Sequence, residues 1–260
     1  MKKRILMISG LLILITSSLA AQQTDTTEVK KLEKLRKESG VDPTRVSTRF
    51  VYGQEFLDPK GAGFSYNNTF KLNVGVGAWA FSLKTKARST YSTGETNGKF
   101  TNGIDDFTFA VGNSVYYKGK HAVNVGLEFV APFGSPAFSA QSFILTPNFT
   151  YAYTISSKLI FALNPQYTFT VAKAEQVPSV SLVTIRPFFA LFLPTGFFAV
   201  MEPRLLYDFK AEQFDVILSP ILGKGLGKGW NMIAFAEVPV TNNRIETLGV
   251  MYKFGIQKNF

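Results

Sequence analysis

Cysteine is absent from this 260-residue chain and histidine occurs once, as His121. Without thiols there is no disulfide framework, no thiolate metal site and no thiol nucleophile. A Ser-His-carboxylate relay has only one place to form. Beyond the N-terminal segment, no stretch supplies the ~18 consecutive apolar residues of a spanning helix. Aromatic residues and glycine are plentiful instead: 25 Phe, 10 Tyr and 21 Gly, with 46% hydrophobic residues overall. That is more aromatic surface than a small soluble core needs, and it suits a β-rich protein facing lipid. With no cross-link to hold an exported domain, a closed strand ladder that pairs every backbone group would serve.

Lys2, Lys3 and Arg4 precede an apolar run from Ile5 to Ile15, followed by small residues with Ser18 and Ala20 placed for cleavage. Residues 1–21 therefore read as a secretory signal peptide, with the mature chain starting at Ala21 or Gln22. Residues 22–45 form a lead-in that is partly helical, since Val29, Leu32 and Leu35 recur at helical spacing and Gly40 is a stop. The stripe is narrow and the other faces are charged, so a solvated periplasmic helix is expected. A plug folded into a lumen, or a partner-binding helix, is the alternative.

From residue 46 to 260 apolar and polar residues alternate in segments of about ten to fourteen residues, the length of tilted membrane strands. The last of them is the clearest in meaning. Leu248, Val250, Tyr252, Phe254, Ile256 and Phe260 share one face, and Gly249, Lys253, Gly255, Gln257 and Asn259 the other. Carried upstream, this parity places strands at Val46–Leu57, Phe64–Gly75, Ala78–Tyr91, Asp105–Tyr117, His121–Phe133 and Phe143–Ile155. Further strands fall at Leu159–Ala172, Val180–Leu193, Phe197–Phe209, Phe214–Leu222, Trp230–Val240 and Ile245–Phe260. The expected fold is all-β: a transmembrane antiparallel up-and-down β-barrel of about 12 strands, with 10 or 14 as alternatives, and a short N-terminal helical lead-in. Both termini then lie on the periplasmic side, the Gly223–Gly229 segment is a periplasmic turn, and Ser92–Ile104 is the longest outer loop. Mid-strand Pro147, Pro165, Pro187 and Pro203 remove ladder donors, so bulges or kinks are expected there.

The formal net charge of +10 acquires a meaning once its groups are placed. Three cations leave with the signal peptide. Lys118, Lys120, Lys158, Lys224, Lys228 and Lys258 fall at the periplasmic rim, near lipid phosphates. No stacking platform or recognition motif accompanies them, so nucleic acid is not the partner. Facing inward, Arg49, Lys71, Lys84, Lys86, Arg88, Arg186, Arg204 and Lys253 stand against Glu55, Asp106, Glu128, Glu202, Asp208, Asp215 and Glu237. Two readings follow: a lumen stitched shut by ion pairs such as Glu202 and Asp208 with Arg186 and Arg204, or a water-filled path with Lys84, Lys86 and Arg88 as a basic ladder.

Catalytic readings find little support. His121 falls at the periplasmic end of its strand beside a basic turn, no Gly-x-Ser-x-Gly elbow exists, and no carboxylate is placed to orient the ring. The Gly223–Gly229 run lacks the Lys-Ser/Thr ending and helix of a phosphate loop. Asp105 and Asp106 lack the further ligands of a metal site and read as a strand start. No cofactor is implied and the chain is not expected to be an enzyme.

The alternating final strand ending on Phe260 resembles the closing strand of bacterial outer-membrane barrels. That resemblance implies that Tyr252, Phe254 and Phe260 form the signal read by the barrel-assembly machinery. The strand region, with GIDDFTFAVG at 103–112, VAPFGS at 130–135 and YKFGIQKNF at 252–260, resembles porin-like proteins of a phenol-degradation meta-pathway family. This implies passive passage of small, aromatic or apolar compounds across the cell outer membrane, and transfers no site residues. The expectation is an outer-membrane channel or transporter for small solutes, apolar or anionic, whose conductance Lys84, Lys86, Arg88, Arg186, Glu202, Arg204 and Asp208 shape. The alternatives are a closed structural or adhesion barrel that binds a partner through its outer loops, and, more remotely, a lipid-modifying enzyme.

Overall fold

The computed structural model describes residues 26–42, 45–59, 63–92, 98–241 and 249–260. The signal peptide expected at 1–21 lies outside the described residues, as do part of the Ser92–Ile104 loop and the first residues of the Ile245–Phe260 strand. The described chain opens with helix α1 (Thr26–Ser39) and continues as β1 (Arg49–Pro59), β2 (Gly63–Val76), β3 (Trp79–Ser92), β4 (Lys99–Ile104), β5 (Phe107–Lys118) and β6 (His121–Ala131). It proceeds through β7 (Ser142–Thr154), β8 (Leu159–Lys173), β9 (Ser181–Phe192), β10 (Phe197–Met201), β11 (Arg204–Asp208) and β12 (Gln213–Leu218). Then come β13 (Pro220–Gly227), β14 (Trp230–Pro239) and β15 (Gly249–Asn259).

Three pairs of these segments are single barrel strands interrupted once. Both β4 and β5 pair with β3, both β10 and β11 pair with β9, and β12 and β13 share β14 as a neighbour. The result is twelve antiparallel strands. Closure comes from β1 against β15, in unbroken register from Arg49 opposite Asn259 to Pro59 opposite Gly249. A closed ladder leaves no edge, so backbone donors and acceptors are paired within the wall, as a hydrocarbon environment requires. At the end of the barrel that carries α1 and Phe260, the terminal end, the strands are joined by tight turns. Gly77 and Gly119 occupy left-handed backbone there, with φ of 58° and 60°, which two-residue hairpins demand and side-chain-bearing residues resist.

The alternation assigns each side chain to wall exterior or interior. Trp79, Phe81 and Leu83 of β3 are exposed on the outside, as are Phe70, Leu72 and Val74 of β2 and Tyr252, Phe254 and Ile256 of β15. Their neighbours of opposite parity, among them Asn67, Thr69, Asn73, Glu55 and Gln257, are buried inside. An apolar exterior around a polar interior inverts the arrangement of a soluble barrel. Aromatic groups gather towards both ends of the strands. Phe56, Phe64, Tyr91 and Phe100 are stacked or edge-on at the end away from the termini. At the terminal end, Lys224 lies 3.8 Å from the Phe197 ring and Lys258 lies 5.3 Å from that of Trp230. Amphipathic and cation-capped rings suit membrane interfaces.

Four expectations need correction. The long loop is shorter than 92–104, because Lys99–Ile104 is a strand paired with β3 from Ala87 to Ser92. Gly223–Gly227 is not a turn but the end of β13, and the reversal is confined to Lys228 and Gly229. The prolines do not all kink their strands: Pro147, Pro165 and Pro187 sit in continuous β7, β8 and β9, and only Pro203 falls at a strand interruption. The register shifts lie elsewhere, at Ser114/Tyr116, Phe143/Ile144 and Gly225/Gly227. Asn164 shows how the ladder tolerates a missing donor. Pro165 falls between the Asn148–Gln166 and Tyr151–Leu163 partners, and the Asn164 side-chain amide donates to the Phe149 carbonyl at 2.9 Å. The fourth correction concerns α1. Its apolar stripe is not solvated but buried inside the barrel, because the narrow Leu32–Leu35 edge finds an apolar layer on the lumen wall.

Candidate functional site: the barrel lumen

The lumen has three levels. At the terminal end, Leu32 and Leu35 of α1 pack into an apolar layer made by Ile160, Ala162, Phe188, Phe192, Phe198 and Val200. Four carbonyls at a helix C-terminus lack intrahelical partners, and the wall supplies partners for two of them, those of Glu38 and Ser39. Asn231 of β14 donates to the Glu38 carbonyl at 2.6 Å, Gln257 of β15 reaches the carbonyls of Glu38 and Ser39, and Asn259 also reaches Glu38. The Arg36 guanidinium donates to Asp42 at 3.0 Å and to the Thr154 hydroxyl at 3.2 Å, and Glu28 stands 3.6 Å from Lys158 in the turn after β7. The helix is thus anchored along its length across the terminal mouth.

Midway along the wall lies a charged belt. Glu55 is 3% exposed and its carboxylate accepts from Lys253 at 2.7 Å, Lys86 at 2.8 Å and Thr69 at 2.8 Å. Lys71 and Lys84 stand directly opposite each other in the β2–β3 ladder. Across the lumen the charges are paired: Arg186 Nε donates to Glu202 at 2.7 Å and Arg204 bridges to Glu237. At the far level, Asp106 sits between β4 and β5, 8% exposed, and holds the loop 132–141 by accepting from the Gly134 amide at 3.0 Å and the Ala140 amide at 2.7 Å. That loop packs against the wall so closely that a Cβ at Gly103 would lie 2.6 Å from Ser135 Oγ and 2.7 Å from the Phe138 ring. Arg88 pairs with Asp105 at 2.6 Å beneath Phe138, whose ring centroid is 5.6 Å from the guanidinium carbon.

Of the residues singled out from the sequence, Lys84, Lys86, Arg88, Arg186, Glu202 and Arg204 all take the inward parity. The structure brings Lys84, Lys86 and Arg88 together on one wall, and Arg186 with Glu202 on the other. Asp208 is a correction: its carboxylate accepts the Lys210 and Ala211 amides at 2.7 and 3.1 Å in the turn after β11, so Arg204 pairs with Glu237 instead. Short acidic side chains at a strand end favour the adjoining turn amides over a partner further down the lumen. Tyr252, Phe254 and Phe260 are exposed on the outer face. Sequence reasoning missed Asp106 as a loop anchor, although GIDD and VAPFGS, the two stretches it joins, both stood out. It also missed Asn231, Gln257 and Asn259 as the seat of the helix, since inward amides carry no pattern beyond parity. His121 lies at the terminal rim on the outer face, its Nδ1 2.8 Å from the Tyr151 hydroxyl and its ring against Tyr153.

A closed twelve-stranded wall with an apolar exterior and a charged interior defines an outer-membrane β-barrel of porin-like fold. Comparison with solved structures agrees. The chain is similar to the NanC porin, with a TM-score of 0.61 and 11% identity over 82% of this chain and 100% of that one. An outer-membrane channel from Pseudomonas putida F1 matches with a TM-score of 0.66 and 8% identity over 83% and 96% of the two chains. The KdgM porin matches with a TM-score of 0.57 and 12% identity over 82% and 99%, and it has also been seen in complex with disordered oligogalacturonate. At such identities these likenesses concern the fold. No protein-family profile and no curated sequence matches the chain.

Proposed function

We propose that this barrel is a channel for passive entry of small solutes through the outer membrane, with a preference for anions. The observation that carries the reading is the uneven distribution of charge around the lumen. On the wall that runs from β15 through β1, β2, β3 and β5 to β6, six cations (Arg49, Lys71, Lys84, Lys86, Arg88 and Lys253) stand against four carboxylates, Glu55, Asp105, Asp106 and Glu128. The opposite wall is neutralised pair by pair. Such a field attracts anions and lowers their entry barrier relative to cations. The resemblance to the phenol-degradation family extends the cargo to small aromatic compounds. Outer-membrane lipids surround the apolar belt, and Tyr252, Phe254 and Phe260 serve as the signal for the barrel-assembly machinery.

Purified protein in planar bilayers should show discrete channels whose reversal potential in a KCl gradient reports chloride preference. Lys84→Ala combined with Lys86→Ala should shift that potential towards cations. Unchanged selectivity would refute the role of this wall. A second reading, a closed barrel that binds a partner through its outer loops, is favoured by the helix and apolar layer in the terminal mouth. Folded protein without any channel activity would select it. The enzymatic reading is disfavoured, since His121 is engaged by tyrosines on the outer face and, among the described residues, makes no hydrogen bond or ion pair to a carboxylate.

A further inference from the structure

We infer that the cavity between β3, β5 and the inward-packed loop 132–141 is a binding site for a small organic monocarboxylate. The cavity has a volume of about 390 Å³ and is lined by Lys84, Lys86, Arg88, Asp106, Thr108 and Phe138, among others, and this size matches the low end of small-molecule sites. Most of its charges are already matched. Lys86 is held by Glu55, Arg88 by Asp105, and Asp106 by two loop amides. Lys84 is different: it faces Lys71 directly across the ladder, and among the described residues neither forms an ion pair. Like charges placed directly opposite each other are destabilising. Arg49 and Lys253 add repulsion at Lys71, which Glu128 offsets in part. One further negative charge at Lys84 would relieve this arrangement. Among the described residues Lys84 is the one cation of the lining without an ion pair, so a ligand with a single negative charge matches it. Phe138 and Val130 offer surface for a compact apolar body, which a carboxylate with a ring or short chain supplies.

This site rests on the channel reading for its role but not for its existence, and binding can be measured without conduction. Full-length protein refolded in detergent is titrated calorimetrically with benzoate, with benzyl alcohol as the neutral isostere and inorganic phosphate as the dianion. Benzoate should bind saturably, and Lys84→Met or Lys84→Gln should weaken it about tenfold, the usual loss for a charge-assisted hydrogen bond. Phe138→Ala should weaken it several-fold, and Lys118→Met, at the rim, should leave it unchanged. Equal binding of benzyl alcohol or phosphate would overturn the assignment. So would undiminished affinity in both Lys84 variants with strand content confirmed by circular dichroism, or no saturable benzoate binding. Benzoate binding by protein that forms no channels would support the site while refuting its role in transport.

Discussion

Glu55 shows how one side chain holds a charged interior together. Its two oxygens take two ammoniums and a hydroxyl, and without it Lys86 and Lys253 would add to the repulsion around Lys71 and Lys84. Removing one partner from a buried charge cluster is costly because the others stay buried. Glu55→Ala should therefore destabilise the barrel by about 3 kcal/mol, read as a lower midpoint for loss of the compact, heat-modifiable form. Glu55→Gln should fall between, since an amide keeps a hydrogen-bond acceptor but not the charge. Asp106 does different work, since both its oxygens accept loop amides. Asp106→Ala should release the loop 132–141, raising the rate of chymotrypsin cleavage at Phe133 and Phe138 by roughly tenfold or more, as expected when local opening costs less. An unchanged cleavage rate would show that packing on Gly103 alone holds the loop. The inward parity of Glu55 was readable from period two. Its partners were not, because a cross-strand neighbour depends on register, and register depends on turns far from the residue.

At the scale of elements, α1 changes most between sequence and structure. Val29, Leu32 and Leu35 announce a helix, but the same narrow stripe suits a solvated helix and a lumen plug. What decides between them is the apolar layer around Phe188, Phe192 and Phe198 together with three amide side chains from β14 and β15 at the helix C-terminus. Leu32→Ala, at a fully buried position, should weaken docking by about 3 kcal/mol, seen as faster hydrogen exchange in α1 with the strands unaffected. Deleting residues 26–39 should raise single-channel conductance, because a 14-residue helix then leaves the terminal mouth. Unchanged conductance would mean that the conducting path runs beside the helix. The prolines teach the converse lesson. Local rules mark each as a break, yet Pro147, Pro165 and Pro187 lie in continuous strands, and at Pro165 the Asn164 side chain supplies the donor that proline lacks.

For the molecule as a whole, the assembly role proposed for Phe260 can be tested apart from folding. The residue is 79% exposed and its one backbone bond, from its amide to the Thr48 carbonyl at 3.0 Å, adds little to the wall. Deleting Phe260 should reduce the amount of barrel assembled in cells several-fold while leaving the unfolding midpoint of refolded protein nearly unchanged; a matching loss in both would assign the residue a packing role instead. The sequence by itself determined that the chain is a barrel with an apolar exterior, since a period of two repeated in membrane-length segments needs no long-range information to read. It also set which charges point inward. Only the tertiary structure decided how those charges are matched. Inward acids and bases look nearly balanced in a list, but Arg186 and Arg204 pair with Glu202 and Glu237 on one wall, while Arg49, Lys71, Lys84 and Lys253 gather on the other. Coulombic interactions depend on distance across the lumen, and that distance is set by closure of β1 on β15, which no local pattern encodes.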